Sequence, residues 1–302
     1  MSGKRVLVLG GSSYLGRRLV EKLGPERALA TYCQQPLPGG VCFDALNMNL
    51  ANLPINQADF SHAVVLMGDA KPDSCAANPE RSWHLNVTRT KAVLDELIPA
   101  GMVPVFASTE SVFDGDKGNY REDEPANPVL VYGRQKREIE RYLEENAAAA
   151  ITVRLARLYS IQPGDGTLLN AWLDELEANR PIRCAANQVL SPVEVDDAAA
   201  AIVALIDHQC QGVFHVATAE PWSRLAILKA LIGEYQRFAD YRGQVEECSI
   251  DDFPAIEPRP RDTSLNPAKL VAATGFEPKP VAACCRLLTE RKYAYDDRRV
   301  AV

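Results

Sequence analysis

The first half of the chain alternates short apolar runs with amphipathic stretches. RVLVL at 5–9 is apolar after its first residue and runs into Gly10 and Gly11. SYLGRRLVEKLG at 13–24 turns at helical period, with Leu15, Leu19, Val20 and Leu23 on one side and Gly24 as a stop. The same reading predicts strands at RALATYC (27–33), GVCFDA (40–45), HAVVLMG (62–68), MVPVFAST (102–109) and AAITVRLARLY (149–159). Helices are predicted over 79–99 and 131–147, the first with Trp83, Val87, Val93, Leu94 and Leu97 on its apolar side. Continuously apolar strands that alternate with helices predict an α/β fold whose parallel sheet is doubly wound, with both faces covered.

Beyond about residue 160 the pattern changes. A loop and helix are predicted within 160–182, an Ala-rich helix over 193–209, a strand at 212–217 and a helix over 223–236 with Ser223 as its N-cap. The segment 251–280 is rich in Pro and charge and holds one short predicted helix.

Composition narrows the function classes. The 302 residues carry a net charge of −7, with no basic cluster beyond short Arg pairs, which argues against nucleic acid as a partner. No apolar run approaches the roughly 18 residues of a membrane span. The opening MSGKRVLVLGG reads as a first strand rather than a signal peptide. The 8 cysteines form no CxxC pair, and His62, His84, His208 and His215 are dispersed, so no metal set is expected. Reduced, partly buried thiols in a cytoplasmic protein fit this pattern. His215 is expected to face out from its strand, and Trp83, Trp172 and Trp222 to serve packing.

Gly10, Gly11 and Gly16 lie between the first strand and the first helix. Backbone without Cβ lets a pyrophosphate approach, and a helix start offers free N–H groups and a positive dipole end. A tight structural turn needs similar glycines, but this position favours a dinucleotide cofactor. The expected organisation is therefore a Rossmann domain over 1–160, rejoined by a segment at about 192–217. A small mixed substrate lobe would come from the rest of 161–302. The second strand ends in Tyr32, Cys33, Gln34 and Gln35, with no carboxylate to hold a ribose 2′-hydroxyl. Arg17 and Arg18 stand just after Gly16 as candidates for a 2′-phosphate, a lean toward NADP over NAD. Asp44 is placed to accept from an adenine amino group, or to serve its own turn.

Tyr132 and Lys136 share a helix face, being four residues apart. A tyrosine titrates near pH ~10 and is a poor acid at neutrality. An ammonium one turn away is expected to lower that value and make the phenol a proton donor to a carbonyl. Ser108 and Thr109 end the preceding strand, where ligands of such sheets sit, so Thr109 is placed to polarise the same oxygen.

With these motifs the chain resembles the extended short-chain dehydrogenase/reductases, and within them the dTDP-4-dehydrorhamnose reductase branch. The Gly-rich turn, LNVTRT with Asn86, STESVFDG, YGRQK, VRLARLY, NQVLSPVEVDDAAAAI, GVFHVA and RPRDTSLNPAKL occur in the family's order over nearly the whole length. The resemblance implies a triad of Thr109, Tyr132 and Lys136, a nucleotide-sugar site between the lobes, and a homodimer formed through the long helices. It implies NAD(P) contacts from Gly10, Ser12, Ser13, Tyr14, Leu15, Gly16, Arg17, Tyr32, Asp44, Ala45, Met67, Gly68 and Asn86, besides Tyr132 and Lys136. Glu110, Ser111 and Arg157 are the substrate candidates, and Arg259 and Arg261 are further cations. Arg157 stands where relatives carry a phosphate-facing Asn; a diphosphate clamp and a buried ion pair are both open for it. Ser13 replaces the family's middle glycine. Ser111 replaces the glutamate that a sugar-nucleotide dehydratase needs as its general base, so dehydration is disfavoured. Two other readings remain: an epimerase with tightly bound NAD, and a non-catalytic cofactor-binding regulatory subunit.

Overall fold

The computed structural model describes residues 5–300. The first half runs β1 (Arg5–Leu9), α1 (Tyr14–Leu23), β2 (Ala28–Tyr32), β3 (Val41–Cys42), β4 (Phe60–Val65), α2 (Pro72–Ala77), α3 (Pro79–Trp83), α4 (Thr90–Leu97), β5 (Val103–Thr109), α5 (Val131–Asn146) and β6 (Ile151–Leu155). Then follow β7 (Leu158–Tyr159), α6 (Leu168–Glu177), β8 (Ile182–Ala185), β9 (Val189–Leu190), β10 (Val193–Glu194), α7 (Val195–Asp207) and β11 (Gly212–Val216). The last elements are β12 (Trp222–Ser223), α8 (Arg224–Tyr235), β13 (Val245–Cys248), α9 (Ala268–Thr274) and α10 (Val281–Val300).

Seven strands form one sheet in the order β11-β6-β5-β4-β1-β2-β3, every pairing parallel. Alternation along a strand explains why its apolar run is continuous. Val6 and Val8 of β1 face one core with α1 and α7, while Leu7 and Leu9 face another with α4 and α5. The strand order reverses at β1 and β4, so the crevice beyond their carboxyl ends is the natural ligand position. A third core joins α6, α8 and α10 around Trp172, Leu228 and the buried, free Cys284 and Cys285.

The structure departs from the sequence reading in several places. The predicted helix over 79–99 contains a wide π-helical turn, His84–Arg89. That turn inserts a residue and rotates the apolar stripe. Val87, Val93, Leu94 and Leu97 stay buried, but Trp83 is 44% exposed and does not pack on the sheet. His215 faces inward and is fully buried, because Tyr120 covers the edge strand: its Nδ1 lies 3.0 Å from the Tyr120 carbonyl. Helices α2 and α10, and the parallel pair β8 and β13, were not anticipated. Among the described residues, no helix is long and apolar enough to cross a membrane.

Candidate active site

At the end of β1 the chain turns through Gly10, whose φ is +86°, and enters α1. Ser13 takes the N-cap role: its Oγ accepts from Gly16 N–H at 3.1 Å, and its own N–H donates to the Gly10 carbonyl at 3.0 Å. The side chain the sequence places near the pyrophosphate position is thus folded back onto the helix start. Gly16 is obligatory for packing, since a Cβ there would sit 2.4 Å from the Gly10 carbonyl oxygen. A hollow of about 430 Å³ opens here, lined by Gly10, Ser12, Tyr32, Asp44, Ala45 and Met67, with Gly68 and Ser13 beside them. A larger cleft of about 670 Å³ continues from it, sharing Ser13 and Leu66. Tyr14 and Leu15 line this second part, and the Tyr14 hydroxyl donates to Asp165 at 2.7 Å, bridging the glycine turn to the loop before α6.

The cleft brings together Thr109, Glu110, Ser111, Tyr132, Lys136 and Arg157. Thr109 ends β5, and its Oγ1 accepts from Ser111 N–H at 3.2 Å, fixing the turn that carries Glu110. Gly133 lets α5 approach that turn: a Cβ would meet the Ser111 carbonyl oxygen at 2.0 Å. Lys136 Nζ donates to the Ala107 carbonyl at 2.8 Å and lies 4.7 Å from the Phe106 ring centre. One turn further along α5, buried Glu140 accepts from Ser108 Oγ at 2.5 Å and from Arg154 of β6 at 2.8 and 3.0 Å. This ion pair is buried on both sides and locks α5 to the two strands that frame the cleft.

The electrostatics differ from the expectation that Lys136 makes Tyr132 acidic. Burial, then the Glu110 carboxylate, push the Tyr132 phenol above its ordinary value; the Thr109 hydroxyl opposes them. Burial also holds the Lys136 ammonium down to about 8. Desolvation penalises the charged form of both groups and is the largest cause of both shifts. Glu110 is raised to about 7, chiefly by burial and against the pull of Arg157.

The remaining candidates divide between the lining of these spaces and its surroundings. Arg17 lines neither space: its Nε donates to the Ser12 carbonyl at 3.0 Å and its Nη2 to Gln35 at 3.4 Å. Arg18 pairs with Glu21 at 3.2 Å and Asp196 at 3.6 Å. Asp44 accepts from Leu46 N–H at 3.0 Å and Asn47 Nδ2 at 2.7 Å, so it orders its own turn at the hollow's edge. Asn86 is buried and holds the loop after β4, accepting from Asp69 N–H at 2.7 Å and donating to Gln135 at 2.8 Å. Arg157 is not a buried ion-pair partner; it is exposed on the cleft wall. Arg261 pairs with Asp251 at 2.9 Å, away from the cleft lining, whereas Arg259 reaches the lining and pairs with Asp73 at 2.5 Å. Sequence reasoning missed Arg81, which lines both the hollow beside Tyr32 and an adjoining one of about 480 Å³ with Lys71 and Gln34. Arg81 lies on α3, and only the fold brings that helix beside the end of β2.

A parallel sheet with its glycine turn at the switch point, and Thr109, Tyr132 and Lys136 around one cleft, define an extended short-chain dehydrogenase/reductase fold. The chain belongs to the family described as RmlD substrate binding domain, whose model matches residues 4–291. It is 24% identical over 280 residues to methionine adenosyltransferase 2 subunit beta of Xenopus tropicalis, covering 89% of this chain and 82% of that one. It is also 24% identical over 280 residues to dTDP-4-dehydrorhamnose reductase of Sinorhizobium fredii, covering 90% and 92%. The solved dTDP-4-dehydrorhamnose reductase of Bacillus anthracis, in complex with NADP, superposes with a TM-score of 0.78 at 20% identity over 97% of this chain and 99% of that one.

Proposed function

We propose that this chain is an NAD(P)-dependent reductase acting on a nucleotide-linked 4-keto sugar. Family membership and the reductases among its relatives support the class. The observation that carries the reading is the Tyr132 phenol, buried on the cleft wall beside Thr109 and kept protonated at neutral pH. A protonated phenol suits a step that gives a proton to a carbonyl oxygen; an epimerase must first take one from a carbinol.

The residues present fit a dinucleotide. The two joined spaces, the Cβ-free turn at Gly10 and the start of α1 would take the adenosine and pyrophosphate, leaving the Thr109–Tyr132–Lys136 wall for the nicotinamide end. When bound, the reduced nicotinamide supplies the hydride. Thr109 donates to the keto oxygen and Tyr132 delivers the proton that turns the developing alkoxide into a hydroxyl. Lys136 faces the same cleft and offsets the charge of the phenolate left behind. Arg157 and Arg259 are the cations positioned for a diphosphate. Tyr132→Phe is expected to lower turnover by about 10²–10⁴-fold, read as loss of reduced-nicotinamide absorbance with a dTDP-4-keto sugar. Native-like turnover in that variant would refute the reading.

NADP is the preferred form in this proposal. With Arg18 paired to Glu21 and Asp196 and Arg17 held at the hollow's rim by Ser12 and Gln35, Arg81 supports that preference, next to Gln34 at a strand end without a carboxylate. Arg81→Ala should raise the Kd for NADPH about tenfold and leave that for NADH unchanged, as measured by nicotinamide fluorescence; one charge-assisted contact has this size. The likeness to methionine adenosyltransferase 2 subunit beta favours a second reading, a binding-only regulatory subunit. A partner's activity that responds equally to native protein and Tyr132→Phe would support it.

A further inference from the structure

Helix α5 starts with Leu130 as N-cap, a residue with no side-chain acceptor, and has no acidic residue in its first turn. Its leading N–H groups therefore need a partner from elsewhere. That partner is Glu257, 126 residues further along the chain. Both carboxylate oxygens lie 3.1 Å from Val131 N, and Arg134 Nη2 reaches Oε1 at 3.3 Å. A carboxylate here also complements the positive end of the helix dipole.

The segment that delivers Glu257 is fixed along its length. Ile256 N–H donates to Asp73 of α2 at 3.0 Å. Arg259, two residues after Glu257, pairs with the same aspartate at 2.5 Å. Pro260 fills the space over Gly115, where a Cβ would lie 2.4 Å from the proline Cβ, and Asp262 N–H donates to the Gly115 carbonyl at 3.0 Å. Arg259 meanwhile lines the reaction cleft, and its Nη1 is buried with no acceptor among the described residues.

We propose that Glu257 is a positioning residue: it seats Tyr132 by capping the catalytic helix one residue before it, and the segment 256–260 links that cap to an anion held by Arg259. Substrate occupancy and the placement of the proton donor are thereby coupled through one short, pinned piece of chain. The inference rests on the reductase reading above, and names how the cleft senses the phosphate end of its substrate.

Steady-state kinetics of Glu257→Ala and Glu257→Gln test it, with cofactor affinity followed by fluorescence. Glu257→Ala should lower kcat between about tenfold and a hundredfold, the usual cost of a misplaced catalytic group. Its KM for the cofactor should stay unchanged. Glu257→Gln should recover most of kcat, because its amide oxygen still accepts from Val131 N–H. Unchanged kcat in Glu257→Ala, or equal damage in both variants, overturns the proposal. A second measurement needs no Glu257 variant. Addition of dTDP to the native protein should slow hydrogen exchange at the Val131 amide several-fold, and Arg259→Ala should abolish that slowing. Exchange indifferent to dTDP refutes the coupling. A fully active Tyr132→Phe would instead refute the underlying reductase reading, so the two failures are distinguishable.

Discussion

The two walls of the cleft are built in different ways. The wall that offers the cofactor turn is mostly local: Gly10, Ser13 and Gly16 hold one another within seven residues of chain, and the distant ties are single hydrogen bonds, from Gly10 N–H to Thr31 and from Tyr14 to Asp165. The wall that offers Tyr132 is assembled from afar. Its helix is capped by Glu257, tied to β5 through Ser108 and Glu140, and tied to β6 through Arg154. A local device stands or falls on its own few contacts. A wall made by converging segments fails when any one of them is withdrawn.

The largest test of that contrast is Glu140→Ala. It leaves Arg154 buried without its carboxylate, and urea unfolding should show a loss of about 3–5 kcal/mol. A loss below about 1 kcal/mol would mean that the wall does not depend on this junction. The next concerns charge in the cleft. As pH rises through about 7, Glu110 becomes an anion and raises the phenol further; near 8, Lys136 loses its charge. Both changes disfavour proton donation, so kcat/KM for reduction should fall between about pH 7 and 9, and Glu110→Gln should remove the lower inflection. The smallest effect belongs to the local wall. Ser13→Ala removes one N-cap bond and should cost about 1 kcal/mol in the same urea experiment, with β1 and α1 otherwise intact.

The same contrast explains what was legible in the sequence. Apolar strands, their alternation with helices and the glycine punctuation are short-range signals, and they define the sheet. Thr109 and the Tyr132–Lys136 pair stand out because a strand end and a helix turn bring them together. Arg81 and Glu257 were invisible as site residues, since only chain folded against them brings them there, and nothing in the sequence separated Arg259, which reaches the cleft, from Arg261, which does not. The error at Trp83 came from the π turn, which no spacing rule anticipates. The error over the Tyr132 acidity came from weighing one neighbour's charge while leaving out burial, the dominant effect on both groups.

Gly133 carries one further consequence. The backbone oxygen of Ser111 occupies the place where any larger residue would begin. The dipeptide Tyr-Gly is therefore written by steric exclusion. A mutational survey reading only lost turnover would credit this position with chemistry, although it owns no group that could perform any.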